Sequence, residues 1–288
     1  MEEKKFDNIV LVVIYNKALD ESVTLNSFLK YKLKNSKLII HNNGPQGVRF
    51  DDLLHERLNN NFDCHVELIN SLDNKPLSII YNEMFIKNNA NRFIILDDDT
   101  GLSQSFFELL KTSDFDVDLD IPKIISSIDG AIYYPISNGK VVKDSTILDA
   151  RNVLSIGSGL VINRTLIEKF NRYNLDLFDE NYALYGVDYS LFRRMWWVVK
   201  QGDEIHVRSS FSLEHSLSRA DRNEKYNKVR NRERILDVAI TARRYPSLYS
   251  YNIFFRRISR EILKINFDNV VCMIMTYISG RHPRCYKK

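Results

Sequence analysis

A run of apolar residues that leads directly into three carboxylates is the feature that most limits how this chain can fold. Phe93 to Leu96 has the pattern of a buried β-strand, and Asp97, Asp98 and Asp99 follow without a spacer. Three adjacent acids repel one another, and a bound divalent cation offsets that repulsion. Carboxylates at the end of a strand suit a Mg²⁺ or Mn²⁺ ion that also holds a diphosphate. For this segment alone, the alternative interpretation is a solvated acidic turn.

Length and composition are those of an ordinary globular protein. The 288 residues are 44% hydrophobic and 27% charged, which allows one large core or two small ones. No apolar run approaches the ~20 residues of a spanning helix, and the first residues lack a secretory signal, so we expect a cytoplasmic protein. Cys64, Cys272 and Cys285 lack the spacing of a disulfide framework or a zinc site and are interpreted as reduced thiols.

Charge is unevenly distributed along the chain. Residues 219–288 contain 17 Lys and Arg against 6 Asp and Glu, whereas residues 1–218 contain 24 against 31. A basic segment of this kind suits an anionic partner, either membrane headgroups or a nucleic acid. We therefore divide the chain into a catalytic body, residues 1–218, and a basic helical extension, residues 219–288.

Strand and helix signals alternate over the first 100 residues and predict a parallel sheet. The order matches a doubly wound nucleotide-binding fold, whose ligands lie at the carboxyl ends of the strands. A helical stretch opens at Asp20-Glu21-Ser22, and a second helix is predicted at Leu77–Ile86. The predicted strands are Ile9–Ile14, Lys37–Ile40, His65–Ile69 and Arg92–Leu96, and the polar clusters that follow them are Tyr15-Asn16, Asn42-Asn43, Asp73-Asn74 and Asp97–Asp99. We expect these clusters to converge on one crevice.

The second half of the chain contains further elements. Asp188 stands at the start of a predicted helix, where the helix dipole would hold its carboxylate ionised. The acids Asp114, Asp116, Asp118 and Asp120 predict a solvated loop. The other predicted elements are a helix at Gln104–Lys111, a hairpin around Ser137-Asn138-Gly139, strands at Leu160–Ile162 and Val207–Leu213, and the helix Tyr189–Val199.

This series of motifs resembles the family 2 inverting glycosyltransferases of the A-type fold, especially the rhamnosyltransferase-like branch of bacterial O-antigen and capsule biosynthesis. Seven motifs of that branch have counterparts in order across about residues 8–217. Asn42 stands where the family has a base-reading Asp, and its amide oxygen can accept from a pyrimidine N3–H. The counterparts are Asn42-Asn43-Gly44-Pro45, Asn74 to Ser78 with Tyr81-Asn82, Leu96 to Thr100, Ser158-Gly159, Phe178-Asp179-Glu180, Val187-Asp188 and His215-Ser216.

The resemblance implies a nucleotide-sugar-binding sheet and a transferase that acts on a nucleoside-diphosphate sugar of the UDP or dTDP type. It implies that Asp97, Asp99 and His215 hold Mn²⁺ or Mg²⁺, and that Asp188 is the catalytic base. The acceptor would be a glycan, linked to a polyprenyl diphosphate, bordered by Ser158, Gly159, Asp179 and Glu180. The donor would be bound by Tyr15, Asn16, Asn42, Asn43, Asn74, Ser78, Asn82, Asp97 and Asp98.

The basic extension predicts docking on the anionic inner face of the cell membrane, with a helical tail packed on the catalytic body as the alternative. We expect no nucleic-acid partner, because no nucleic-acid-binding signature accompanies the basic residues.

Two rival functions start from the same residues. A metal-dependent phosphohydrolase also begins with a strand and two spaced Asp residues, but Thr100 stands one place too early for that motif, which usually lies on the first strand. A nucleic-acid-binding module would explain the basic extension, but it leaves the three Asp residues and Asp188 without a role.

Overall fold

The computed structural model describes residues 4–112, 116–216 and 228–286. Its strands are β1 (Phe6–Ile14), β2 (Ser36–Asn42), β3 (Val66–Asn70), β4 (Ala90–Asp97), β5 (Thr100–Leu102), β6 (Leu119–Asp120), β7 (Lys123–Ser126), β8 (Ile132–Tyr134), β9 (Ile136–Ser137), β10 (Lys140–Val141), β11 (Thr146–Asp149), β12 (Val153–Leu154), β13 (Val161–Asn163), β14 (His206–Ser209) and β15 (Ser212–His215). Its helices are α1 (Val23–Phe28), α2 (Asp52–Asn61), α3 (Leu77–Lys87), α4 (Gln104–Lys111), α5 (Arg164–Asn171), α6 (Val187–Lys200), α7 (Lys228–Arg244), α8 (Leu248–Leu263) and α9 (Phe267–Ser279), followed by a 3₁₀ turn, Pro283–Tyr286.

A mixed eight-stranded sheet forms the centre of the molecule, with the order β11-β14-β6-β13-β4-β1-β2-β3. Strands β3, β2, β1 and β4 are parallel, and β13 joins the edge of β4 in the antiparallel direction. Val13 of β1 lies beside Asp97, and Ile14 lies beside Asn42, so the polar residues after these strands meet at one edge. This topology confirms the predicted α/β fold class.

Side chains of β1 alternate between two cores because successive residues of a strand point to opposite faces. Ile9, Leu11 and Val13 pack on the face that is covered by α3, α5 and α6. Val10, Val12 and Ile14 pack on the face that is covered by α1, α2 and α4. A strand buried on both faces reads as a continuous apolar run, which is why β1 could be found in the sequence.

Smaller sheets extend the central one. A four-stranded sheet has the order β5-β15-β7-β8. In it β5, which follows β4, pairs with β15, so that Thr100 lies opposite His215. Strands β9 and β10 form the predicted hairpin, with Asn138 and Gly139 at positive φ in its turn.

Two predictions about local structure were wrong, and one helix, α2, was not predicted. The single strand Val207–Leu213 is two strands, β14 in the central sheet and β15 in the four-stranded sheet. Asp118 and Asp120 are buried, because Lys169 and Arg208 pair with them at 2.6 and 2.7 Å. Asp116 is exposed, and Asp114 lies outside the described residues.

The C-terminal helices pack on the catalytic body. Ile240 of α7 belongs to the core on the α3, α5 and α6 face of the sheet. Helices α7, α8 and α9 also share a small core of their own that includes Ala239, Phe254 and Met273. Within the described part of the chain, no helix combines the length and apolarity that crossing a bilayer requires.

Candidate functional site

The turn that carries the three carboxylates is held by the start of α1. Thr24 Oγ1 lies 2.5 Å from the Asp97 carbonyl oxygen and accepts the Thr100 N–H at 3.0 Å. Ser22 Oγ donates to the Asp98 carbonyl oxygen at 3.0 Å. These bonds satisfy the backbone of the turn internally and leave its carboxylates available for other groups.

The three carboxylates face different partners. Asp97 and Asp99 approach His215 Nε2, at 3.2 Å from Asp97 Oδ2 and 3.3 Å from Asp99 Oδ1. Asp98 turns away and pairs with Lys17 Nζ at 2.5 Å. The structure therefore brings together the three predicted metal ligands and places Asp98, a predicted donor-binding residue, in an ion pair.

The surroundings of His215 favour the protonated form of its imidazole. Burial alone would lower the pKa of the imidazole, but the hydrogen bond and charge of Asp97, together with Asp99, raise the pKa to about 9. One donor atom from each of Asp97, Asp99 and His215 lies within 4.8 Å of the others. Mn²⁺ accepts two carboxylates together with an imidazole, whereas Mg²⁺ would use chiefly the two carboxylates. These residues therefore fit the predicted cation, with Mn²⁺ using all three once the imidazole proton is displaced.

Asp188 lies in the first turn of α6, after Gly186 at φ 83°. Burial, followed by the charge of Asp97, raises the pKa of the Asp188 carboxyl to about 7, although the Gly157 N–H donates to it. The helix dipole therefore does not keep this carboxyl fully ionised near neutral pH, contrary to the sequence-based expectation. Because part of its surface stays open, Asp188 can exchange a proton with a bound group.

Gly157 and Tyr81 are neighbours of Asp188. A Cβ at Gly157 would lie 2.4 Å from Asp188 Oδ1, so only glycine permits this approach. The Tyr81 hydroxyl is buried, and burial and the charges of Asp97 and Asp188 raise its pKa. Tyr81 was noted in the Tyr81-Asn82 motif but was not predicted to be a site residue.

A cavity of about 490 Å³ opens beside the carboxylate turn, between the segments that follow β1 and β2. Lys17 lines this cavity and pairs with Asp98. The cavity therefore lies next to the turn that carries the three carboxylates. Its lining includes Asn16, Lys17, Gln46, Arg49 and Asp51. Among these residues, the sequence analysis singled out only Asn16. Lys17 was recoverable from its place directly after the polar cluster that ends β1.

The predicted donor residues that follow β2 are buried in their own loop. Asn42 Nδ2 donates to the Gln46 carbonyl oxygen and to Asn70 Oδ1, both at 2.7 Å. Asn42 Oδ1 accepts the Gly44 N–H at 3.2 Å. The amide of Asn42 thus holds the loop that carries Gln46 to the cavity, and the base contact predicted for Asn42 stays a prediction.

Asn43 and Asn74 connect other loops. Asn43 Nδ2 donates to the Lys75 carbonyl oxygen at 2.8 Å. Asn74 adopts a positive φ of 51°, and its Oδ1 accepts from Arg284 of the C-terminal 3₁₀ turn at 2.6 Å. Tyr15 has 51% of its surface exposed, and its N–H points toward Asp98 Oδ2 at 3.5 Å.

Ser78 and Asn82 of α3 anchor the segment before α6. Ser78 Oγ donates to the Tyr182 carbonyl oxygen at 2.5 Å. Asn82 Nδ2 donates to the Phe178 carbonyl oxygen at 2.9 Å, and Asn82 Oδ1 accepts the Phe178 N–H at 3.2 Å. Both side chains are buried, so in this structure they orient the chain that leads to Asp188.

The four residues predicted to border an acceptor lie in different surroundings. Ser158 is buried, and its Oγ accepts the Asp97 N–H at 2.9 Å and contacts Thr100 Oγ1 at 2.7 Å. Gly159 has φ 90° and lies against Leu213.

Asp179 is buried among Arg194, Arg244 and Tyr245, whereas Glu180 is exposed. Asp179 therefore anchors the C-terminal helices, and of the two acids only Glu180 presents its side chain to solvent.

Comparison with known proteins shows the fold. No family model and no curated protein sequence matches the chain. Among solved structures, S. aureus TarS residues 1–349 in complex with UDP-GlcNAc has a TM-score of 0.57 at 11% identity, covering 97% of this chain and 83% of that one. A longer TarS structure gives 0.54 at 13%, and GalNAc-T7 with UDP, GalNAc and Mn²⁺ gives 0.51 at 12%.

The chain matches 83% of its own length to the longer TarS structure and 73% to GalNAc-T7, but spans only 40% and 44% of those chains. At this level of identity the likenesses concern the fold. The chain has the A-type glycosyltransferase fold.

Proposed function

We propose that the protein transfers a hexosyl or deoxyhexosyl group from a nucleoside-diphosphate sugar to a sugar hydroxyl, with inversion at the anomeric carbon. The observation that carries the proposal is the meeting of Asp97, Asp99 and His215 at the end of β4, with Asp188 close enough for the charge of Asp97 to raise its pKa. A diphosphate leaving group needs a site for a cation, and an incoming hydroxyl needs a base beside it.

The donor is of the UDP or dTDP type in this proposal. The cavity between the segments after β1 and β2 has room for a nucleoside, and charged side chains of both signs line it, Lys17 and Arg49 with Asp20, Glu21 and Asp51. The related structures with UDP and UDP-GlcNAc support a nucleotide-sugar donor for this fold.

Asp97, Asp99 and His215 would hold Mn²⁺ or Mg²⁺. When bound, the cation supplies positive charge that offsets the developing charge of the departing diphosphate. The chain's own residues prepare this place: Thr24 and Ser22 fix the turn, and Ser158 fixes the Asp97 N–H.

Asp188 removes the proton from the acceptor hydroxyl. Burial raises its pKa to about 7, which makes its ionised form a stronger base than an ordinary carboxylate and keeps a useful fraction ionised near neutral pH. The Gly157 N–H orients the carboxylate, and α6 presents it from a rigid helix. Inversion follows if the hydroxyl attacks from the face opposite the diphosphate.

The acceptor in this proposal is a polyprenyl-diphosphate-linked glycan at the inner face of the cell membrane, in the synthesis of a bacterial surface polysaccharide. The exposed Glu180 and the half-buried Asp188 are the groups that such a glycan would meet. The basic C-terminal helices supply a cationic surface that suits an anionic leaflet.

A ligand-binding experiment tests the donor and the cation together. The melting temperature is measured with UDP, dTDP and GDP, each with and without Mn²⁺. We expect one of the pyrimidine nucleotides to raise it by at least about 4 °C with Mn²⁺, and much less without. Asp99→Asn should remove the Mn²⁺-dependent part of the rise in melting temperature. Asp144→Asn, which changes an exposed acid outside the site, should retain that part.

Radiolabelled sugar transfer then tests the reaction. The proposal is overturned if no nucleotide shifts the melting temperature with Mn²⁺, or if the protein hydrolyses simple phosphomonoesters at the same residues without an acceptor.

A further inference from the structure

The outer sides of α8 and α9 carry exposed apolar residues in helical register. On α8, Leu248, Phe255 and Ile262 are spaced seven residues apart and therefore lie on one side of the helix. Leu248 is 92% exposed. On α9 the exposed residues on one side are Phe267, Val271, Ile274, Met275 and Ile278.

The opposite sides of these helices are already used. Phe254 of α8 and Met273 of α9 pack with Ile235, Ala239 and Ala242 of α7. The exposed residues therefore do not belong to a core that the described chain completes. Apolar residues grouped to this extent on a surface mark an interaction site.

Four of the exposed apolar residues lie at or beside the turn between α8 and α9. Leu263 is 85% exposed and Ile265 is 75% exposed, and Ile262 and Phe267 stand beside them. Ile265 ends α8 with φ 56°, at a position where glycine is favoured. An isoleucine with a positive φ is strained, and its side chain gains no buried contact here in return. The exposure and the positive φ of Ile265 together indicate that its side chain contacts a binding partner.

The charges beside the apolar residues indicate the kind of partner. Arg256, Arg260 and Lys264 are exposed along α8, with the exposed Tyr249 on the same side as the arginines. Among the acids of α8 and α9, Glu261 is buried and bonded to Asn266 and Asn269, which leaves Asp268 as the exposed one in these helices. The surface is therefore apolar with a cationic border.

We propose that the surface formed by Leu248, Phe255, Ile262, Leu263, Ile265, Phe267, Val271, Ile274, Met275 and Ile278 inserts into the headgroup region of an anionic lipid bilayer, with Arg256, Arg260 and Lys264 on the lipid phosphates. Leu263, Ile265 and Phe267, at the turn, enter deepest. A second copy of the chain fits less well, because a two-fold contact would bring the same arginines together with only Asp268 to offset them. The inference names a surface and does not depend on the transfer reaction.

Vesicle flotation of the full chain tests the proposal. Vesicles of phosphatidylcholine, with and without about 30 mol % phosphatidylglycerol, are compared at about 0.15 M salt. We expect binding to the anionic vesicles, reduced at least tenfold by Leu263→Ser with Phe267→Ser. Leu53→Ser with Ile147→Ser, which removes exposed apolar residues elsewhere, should bind as the unaltered chain does.

Two further variants separate the contributions. Arg256→Gln, Arg260→Gln and Lys264→Gln together should abolish the preference for anionic lipid, whereas the same change at the exposed Lys30, Lys140 and Lys143 should not. Ile265→Gly should weaken binding while raising the melting temperature, because glycine relieves the positive φ. A loss of binding caused by misfolding would lower the melting temperature instead.

The proposal is overturned if the unaltered chain does not float with anionic vesicles, or if the Leu263 and Phe267 variant floats equally well. It is also overturned if the chain is a dimer that this variant converts to a monomer, since the surface would then join two copies. Sugar transfer to a water-soluble acceptor should be unchanged in all of these variants, so that a failure of the membrane proposal is distinct from a failure of the proposed reaction.

Discussion

At the scale of single residues, Asp188 shows a conflict between stability and chemistry. A carboxyl whose pKa rises to about 7 on folding favours its protonated form, so ionisation opposes the folded state. The opposition begins as the pH rises above the unfolded pKa of about 3.9 and is complete above about pH 7. Residues kept at such a cost are found mostly at functional sites.

Asp188→Asn should therefore inactivate the protein and stabilise it. We expect the rate of sugar transfer to fall by at least about a thousandfold, because no base remains for the acceptor hydroxyl. At pH 8 the free energy of unfolding should rise by about 1 to 4 kcal/mol, and at pH 4 the gain should disappear. Urea unfolding across this pH range measures the difference, with Asp144→Asn as the exposed control. A variant that is destabilised at pH 8 would contradict the raised pKa.

His215 gives the second prediction at this scale. His215→Ala should weaken Mn²⁺ binding at least about tenfold, because it removes one of three grouped ligands. Titration with Mn²⁺ followed by electron paramagnetic resonance measures free and bound ion directly. His206→Ala changes an exposed imidazole outside the cluster and should leave the affinity unaltered. Equal Mn²⁺ affinity in both variants would remove His215 from the metal site.

At the scale of secondary structure, the site depends on how closely two elements approach. The start of α6 comes so near to the chain before β13 that Gly157 touches the Asp188 carboxylate. Gly157→Ala should push Asp188 from its position and lower kcat by about a hundredfold, since a displacement of this size disrupts transfer geometry. The nucleotide-induced thermal shift should persist, because the cavity beside β1 and β2 is untouched. A kcat that remains unchanged would show that Asp188 tolerates this movement.

A buried ion-pair cluster joins α6, α7 and the segment between α5 and α6. Burial alone would raise the pKa of Asp179, but Arg194, Asn181 and Arg244 outweigh it and lower that pKa. The ionised pairing therefore stabilises the fold above the ordinary carboxyl pKa, and this contribution is lost as the pH falls through the lowered one.

Asp179→Asn should destabilise the protein by roughly 3 kcal/mol at pH 7, because it leaves two arginines without their counter-charge. Arg244→Gln should cost less, about 1 kcal/mol, because Arg194 and Tyr245 still contact Asp179 and the Arg244 side chain is 40% exposed. Urea unfolding of both variants and of the double variant measures the coupling between the two residues. Additive losses would show that the pair does not interact.

Sequence analysis found the elements whose pattern is local. The apolar runs of β1 and β4, the three carboxylates and α4 are readable because their periodicity lies within a few residues. The helix α2, with its weakly apolar sequence, gave no such signal. Other features depend on partners distant in the chain. Asp118 and Asp120 are buried because they pair with Lys169 and Arg208, and the amide of Asn42 donates to Asn70.

At the scale of the whole molecule, the uneven charge of the sequence has a structural use. Arg244 reaches Asp179, Arg284 reaches Asn74, and Arg281 reaches Asn181. Part of the positive charge of the extension thus holds the C-terminal helices on the catalytic body, while the arginines of the outer side of α8 remain at the surface. The boundary predicted at residue 218 lies outside the described residues.

This packing predicts that the catalytic body does not fold well alone. A chain that ends at residue 216 loses Ile240, which is fully buried in the main core, and the Arg244 and Tyr245 contacts to Asp179. Tyr182 also loses the Thr241 hydroxyl at 2.9 Å. We expect most of the truncated protein to be insoluble, and any soluble fraction to melt at least about 10 °C below the full chain.

The full chain with Leu263→Ser and Phe267→Ser is the matched control for this experiment, because it alters the surface of the extension and keeps its inner contacts. It should be soluble and melt within about 2 °C of the unaltered chain. A truncated protein that is soluble and melts cooperatively at the same temperature would show that the extension is a separate domain. The inner side of the extension would then contribute nothing to the core, and its outer side could be removed without harm to the transfer site.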